Sequence, residues 1–434
     1  MKNVLLAICV LFCSVFIGCS PKSVSDSART NDLKIQKIED LVQIGSLEYR
    51  DQVMDFYLQD NAFESAVPSP KIVVTQKDVL FYDNQRKVIK TINLPIIENH
   101  IGSHAIITDN GIVAVCLVFK ESNKLKQKIS FYEPSGKKVW QDVVYDWHTV
   151  RIQFSSNGKY FGLTGSSYEA AKNFELFEFG KGKLWEIKML YSPEFVVFND
   201  GKVVLNDLGI FGPVKKQTYL VFGKYGGVFR KFEDSEDLKN IMHGVFISLH
   251  ATDNRRFYVE GANYYLFDVE KGMLLKKKRD KNAYHLTSDN QMNTNFSSDG
   301  EFYSIYNPSR KVIGVISSEQ KERWIFNYKN LIEKYKGHYN GVQFTFLDDE
   351  ILMLFLQEDN TNKENDFGAL MNATVILFDI NGNVMLEKEL KVEGHNQFIA
   401  KLSKDKKGLV FSSNGVGKGD IYTIRIFELL WQVK

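Results

Sequence analysis

The sequence predicts an all-β protein built from a repeated four-stranded sheet, and three observations predict it. From Lys71 onward, short apolar runs rich in Val, Ile, Phe and Tyr alternate with Gly, Asn and Asp turns. The pattern recurs as a unit, with starts at His104, His148, Pro193, His243, His285, His338 and Asn396, in steps of 42 to 58 residues. The third run of a unit ends in an aromatic followed by an acid: Tyr82-Asp83, Tyr132-Glu133, Phe177-Glu178, Phe267-Asp268, Phe378-Asp379 and Phe427-Glu428. Four strands per unit at this spacing is the signature of β-propeller blades. A chain of 434 residues also exceeds what one ordinary core holds, roughly 250–300 residues, so a repeat architecture suits its length.

In chain order, the first element is "MKNVLLAICVLFCSVFIGCS". One early lysine precedes an apolar run, Val4 to Ile17, that is too short to span a bilayer as a helix. It has the form of a secretory leader, residues 1–18. Residues 19–34 are polar and Ser-rich, a flexible tether. Residues 35–70 open within "LKIQKIEDLVQI" (Leu33 to Ile44), where Ile35, Ile38, Leu41 and Val42 stand at helical spacing, and read as an N-terminal capping segment. The propeller takes residues 71–434.

Within it, "FSSNGKY" after His148 and "FSSDGEF" before Phe302 supply Asn-Gly and Asp-Gly hairpin turns, which need positive φ. Two stretches suggest short helices, "NYKNLIEKYKG" (Asn327 to Gly337) and "SEDLKNIMHG" (Ser235 to Gly244). The seven starts favour seven blades. "KIVVTQKDVLFYDNQRKVIKTINL" is a further partial unit, which leaves eight as the alternative. The last unit ends at "IYTIRIFELLWQVK" without an outer strand, and an N-terminal strand could complete it and close the ring.

Two resemblances follow from these residues. Phe16-Ile17-Gly18-Cys19 resembles the lipobox of bacterial lipoproteins, with Phe16 where Leu is usual. That resemblance implies cleavage before Cys19, a diacylglyceryl thioether and acyl chains such as palmitate on that residue, and a place in the bacterial cell envelope, on the periplasmic side or the cell surface. "GHYNGVQF", with "VILFD" later, is similar to the WD-repeat pattern, in which Gly-His precedes the inner strand and aromatic-Asp closes the third. The pieces "PSGKKVW" and "GKGKLW" look like quinoprotein-type propeller repeats.

Composition narrows function. With 55 basic and 53 acidic residues the net charge is +2, which gives no field to steer nucleic acid. Of four cysteines, only Cys116 remains in the body, inside "GIVAVCLVF", as a small buried hydrophobe. His104, His148, His243, His285, His338 and His395 stand near unit starts. Ring symmetry separates them, so they read as structural donors and no metal is expected. The acids after the aromatics read as turn caps, one per blade. "NGVGKGD" leads into a strand, not a helix, and is no phosphate loop. No cofactor is implied.

Three long loops carry the remaining candidates for partner contact: Ile210, Phe211, Lys215 and Lys216 in the first, Tyr284 in the second, and Phe367, Leu370 and Met371 in the third. The expectation is a non-enzymatic binding or scaffold propeller with a protein or envelope ligand. The alternative is a carbohydrate-active or other hydrolytic enzyme with paired carboxylates in its channel.

Overall fold

The computed structural model describes residues 37–58, 70–97, 101–122, 124–145, 149–166, 172–189, 194–206, 219–232, 248–251, 255–260, 263–278, 297, 301–307, 311–317, 322–334, 339–358, 370–393, 398–414 and 422–432. The second candidate helix, Ser235 to Gly244, lies outside them. The first is present as α1, Lys329–Lys334.

Eight antiparallel sheets follow one another along the chain. Blade 1 comprises Val53–Leu58, Pro70–Thr75, Asp78–Tyr82 and Val88–Asn93; blade 2 comprises His104–Ile107, Val113–Glu121, Lys124–Tyr132 and Val143–Tyr145. Blade 3 is Thr149–Phe154, Tyr160–Ser166, Lys172–Glu178 and Gly182–Met189, and blade 4 is Phe195–Val197, Val203–Asn206, Tyr219–Phe222 and Val228–Phe232. Blade 5 is Ser248–Ala251, Arg256–Glu260, Asn263–Asp268 and Gly272–Lys278; blade 6 shows three described strands, Phe302–Asn307, Val312–Ser317 and Glu322–Asn327. Blade 7 is Tyr339–Phe346, Ile351–Glu358, Leu370–Asp379 and Val384–Glu393. Blade 8 joins both ends of the described chain: Phe398–Leu402, Gly408–Asn414 and Tyr422–Trp431, with Ile38–Tyr49 as its outer strand.

The favoured count of seven is therefore corrected to eight. The unit that seemed partial is a whole blade, because its first strand, Val53–Leu58, lies in the stretch read as a cap. The rest of that stretch is also strand: Ile38–Tyr49 pairs antiparallel with Tyr422–Trp431 along its length. Residues 38–58 thus belong to two blades and not to a helical cap.

Core packing shows the ring closing eightfold. Eight apolar clusters lie one to each junction between neighbouring blades. The middle strands are buried on both faces. In blade 1, Ile72 and Val74 pack toward blade 2, while Val73 packs toward blade 8 with Val410 and Ile426. This explains why such strands read as continuous apolar runs and not as alternating ones.

Two side-chain devices repeat. In the first turn of a blade, a hydroxyl side chain closes the hairpin. Ser155 Oγ accepts from Tyr160 N at 3.0 Å, Ser403 Oγ from Gly408 N at 2.8 Å, Thr108 Oγ1 from Ile112 N at 2.9 Å and Ser297 Oγ from Phe302 N at 2.9 Å. In the third turn, the acid after the aromatic accepts backbone amides. Asp83 Oδ1 takes those of Gln85 and Lys87 at 2.9 and 2.8 Å, and Asp379 Oδ1 those of Asn381 and Asn383 at 2.8 and 2.9 Å. Phe427-Glu428 departs from this role: both residues lie inside the strand Tyr422–Trp431, paired with Gln43 and Val42.

The outer strand then bulges against the third at Phe81/Tyr82, Leu176/Phe177, Val221/Phe222 and Val315/Ile316. After each bulge, one side chain reaches the third turn of the next blade. Lys90 Nζ donates to Gly136 O at 2.6 Å, Trp185 Nε1 to Lys224 O at 3.0 Å and Trp324 Nε1 to Ile380 O at 3.1 Å; Arg230 Nη1 donates to Glu270 O. A glycine in the receiving turn makes room for the ring.

Gly382 tests this latch. Its φ is +86°, and an added Cβ would stand 2.6 Å from Trp324 Cγ. Gly180 has φ +78° but nothing within 4 Å of its Cβ direction. In urea unfolding, Gly180→Ala should cost the backbone strain alone, roughly 1–2 kcal/mol. Gly382→Ala should cost about 1–3 kcal/mol more through the clash. Equal losses for the two would mean that the tryptophan contact does not limit the turn.

Candidate functional site

Strand order gives the ring two distinct ends. The first turns of the blades, and their third turns where the outer strand follows in the chain, lie at one end; the second connections and the links between blades lie at the other. First strands of neighbouring blades pack on one another, as in blades 1 and 2, 3 and 4, and 4 and 5, so these strands line the axis.

The three long loops leave from the linking end. Residues 207–218 are the second connection of blade 4, residues 359–369 that of blade 7, and the loop that carries Tyr284 joins blade 5 to blade 6. Ile210, Phe211, Lys215, Lys216, Tyr284 and Phe367 lie outside the described residues, as does Cys19. Leu370 and Met371 begin the third strand of blade 7, opposite Glu393 and Val392, and are not loop residues. Of the histidines near unit starts, His104 is described; it opens blade 2 opposite Cys116. Among the described residues, no three His, Cys, Asp or Glu side chains come together as metal ligands do. No helix among them is long and apolar enough to cross a membrane.

Around the axis, charge is paired across blade junctions. Lys401, on the first strand of blade 8, donates to Asp55 Oδ1 and Phe56 O of blade 1, both at 2.6 Å. Its ammonium also stands 5.3 Å from the Phe56 ring centre. Arg151 of blade 3 pairs with Glu194 just before blade 4. The first turn of blade 2 carries Asp109, an exposed residue. Desolvation there lifts its carboxyl above the ordinary carboxylate value; Asp55 adds to the rise, while Lys401 and Lys404 oppose it. Asp109 and the ion-paired Asp55 thus both act on Lys401 where the ring closes.

A second concavity lies at the turn end. The third turns of blades 1 and 2 face a groove of about 600 Å³, lined by Lys71, Tyr82, Asp83, Asn84, Gln85, Ile89, Glu133, Pro134 and Ser135. Lys71 is 3% exposed and donates to Asn84 Oδ1. Desolvation lowers its ammonium below the usual lysine range, with Asp83 pulling the other way. On the opposite wall, Ser135 Oγ donates to Glu133 Oε1 at 2.7 Å. Ile89, the bulge residue of blade 1, is 49% exposed.

Sequence reading missed Lys71, Asp109 and the Asp55–Lys401 pair. Asp55 and Lys401 are 346 positions apart. Lys71 carried one local signal, a charge at the head of the apolar run "KIVV". Cys116 is fully buried, and desolvation pushes its thiol up to about 12, so it is an inert hydrophobe.

No protein-family model matches the sequence, and no curated protein matches it. Solved structures do. A eukaryotic initiation factor superposes with a TM-score of 0.51 at 10% identity, covering 88% of each chain. The WD40 domain of SCAP from fission yeast gives 0.46 at 7% identity over 90% of this chain and 98% of that one. Sqt1 from Chaetomium thermophilum gives 0.45 at 11% identity over 90% and 100%. These are likenesses of fold alone: the chain is a β-propeller built from four-stranded blades.

Asp109 makes stability depend on pH. A folded-state carboxyl raised above its unfolded value holds a proton that the unfolded chain has already released. Its contribution is therefore full in acid and is lost as pH rises through the folded value. Thermal melts of Asp109→Asn should show a small gain at neutral pH that vanishes toward about pH 4. A loss of stability at neutral pH would refute the desolvation argument.

Proposed function

We propose that this chain is a lipid-anchored propeller of the bacterial cell envelope, held by acyl groups on Cys19, that binds or scaffolds a protein or envelope ligand without catalysis. The observation that carries the reading is the common exit of the three long loops. A closed ring with rigid turns at one end sends its longest connections from the other. The loops carry Ile210, Phe211 and Phe367 beside Lys215, Lys216 and several acids, the mixture of apolar anchor and charged rim that protein interfaces use. The lipobox resemblance of Phe16 to Cys19 supports the anchor, and the polar residues 19–34 are long enough to let the ring stand off a bilayer.

A second reading, hydrolysis in the channel, draws on Asp109 beside Asp55. A raised carboxyl is what a general acid needs. Here Lys401 neutralises the other carboxylate through a direct bond, which suits closure of the ring better than attack on a substrate.

Two measurements test the binding reading. The intact chain should enter the detergent phase on partition, and Cys19→Ala should remain in the aqueous phase. Variants with residues 207–218 or 359–369 shortened should keep the thermal midpoint yet lose co-purification of the envelope partner. Retention of the partner by both shortened variants would move the binding surface elsewhere.

A further inference from the structure

The groove between the third turns of blades 1 and 2 lies at the opposite end from the long loops, and its chemistry stands apart from the envelope reading. Three features meet in it. A lysine ammonium, Lys71, is sunk in the wall and bonded to an amide oxygen, not to a carboxylate. A carboxylate, Glu133, faces the same space from the neighbouring blade. Ile89 and Pro134 add apolar surface to the same groove.

We propose that this groove binds a zwitterion of amino-acid type, as a free amino acid or a short peptide with free termini. The ligand's carboxylate meets the Lys71 ammonium, its ammonium turns to Glu133, and its apolar side chain lies on Ile89 and Pro134. A buried charge without a counter-charge in contact is costly, and a carboxylate restores what burial removed. Other classes fit less well. Asp83 and Glu133 repel a polyanion such as a nucleotide, a neutral sugar leaves Lys71 uncompensated, and a metal ion is repelled by the ammonium. The lowered lysine affinity for its proton agrees with this geometry, because an arriving carboxylate would raise it again.

Calorimetric titration of the full chain with leucine, glycyl-leucine, N-acetyl-leucine and leucinamide tests the proposal. Saturable millimolar binding of leucine or of glycyl-leucine is expected, with each one-charge analogue about tenfold weaker. Preference for the first identifies a free amino acid, and for the second a peptide. Glu133→Gln, in an exposed turn, should weaken leucine about tenfold and leave N-acetyl-leucine unchanged. Lys71→Met should weaken leucine and leave leucinamide unchanged; if that variant does not fold, Glu133→Gln still decides. Absence of saturable binding by both zwitterions, equal binding of all four compounds, or indifference to Glu133→Gln overturns the proposal. Variants with shortened long loops should bind leucine normally, so failure of the envelope reading and failure of this one are separable.

Discussion

Everything in this ring depends on one antiparallel pairing, Ile38–Tyr49 against Tyr422–Trp431. Without it, Tyr422–Trp431 loses its partner and blade 8 its outer strand, so the first and last parts of the chain are no longer tied together. Bringing the two strands together closes a loop of 373 residues, counted from Tyr49 to Tyr422. For a flexible chain that closure costs about 5 kcal/mol. Burial outweighs it: Ile38 and Leu41 enter the blade 7–8 core and Tyr49 the blade 8–1 core. Each fully buried large apolar side chain contributes roughly 1.5–3 kcal/mol. Polar contacts then set the register. Gln432 N donates to Lys37 O at 3.0 Å, Lys388 pairs with Asp40 at 2.6 Å and Arg425 Nη1 donates to Gln43 Oε1 at 3.1 Å. Lys401 makes the same join at the axis, between blades 8 and 1.

Closure of this kind leaves outer edges as the remaining hazard, since each blade still presents one free strand. The bulge after the third-strand aromatic answers it. One extra residue twists the outer strand and spoils its fit to a foreign strand. The same bulge aims Lys90, Trp185, Arg230 or Trp324 at the next blade's third turn. Trp140 does related work by ring contact, 5.3 Å from Phe161 and 5.2 Å from Phe179 of blade 3. The tryptophan pieces that resemble quinoprotein repeats are therefore docking devices between blades. They need an indole or a long cation, not a particular ligand.

Much of this was legible in the chain because local chemistry dictated it. The Asn-Gly turn of "FSSNGKY" has its glycine, Gly158, at positive φ. Asp83 and Asp379 cap as short acids in turns do. What failed did so where long-range pairing decides. In Ile38–Tyr49, register shifts at Ile38/Asp40 and Gln43/Gly45 insert extra residues. Ile38 and Leu41 then share a core while standing three apart, which is the spacing of a helix. That masked strand hid the closure, and Val53–Leu58 beside it hid a blade. The pentapeptide "FSSNG" makes the point twice. At Phe154 it leads into a turn clamped by Ser155, whereas Phe411 to Asn414 complete a strand with Ser412 buried. The same letters take different forms because different partners lie opposite.

The two ends of the ring differ in what holds their connections. At the turn end, hydroxyl clamps, acid caps and inter-blade latches satisfy the backbone locally, and each turn is held by its neighbour. A groove built there from two third turns keeps its shape before a ligand arrives, which favours a small, charge-matched molecule over a large one. At the linking end, chain length between strands is free to vary without disturbing either core or closure. Selection for new partners can act on residues 207–218 or 359–369 while the strands that flank them, Val203–Asn206 and Ile351–Glu358, stay fixed by burial. The proposed ligand groove and the proposed partner loops therefore stand at opposite ends of the ring. No switch of fold is needed between the two, because the eight junction cores couple the blades as rigid neighbours and not as hinges.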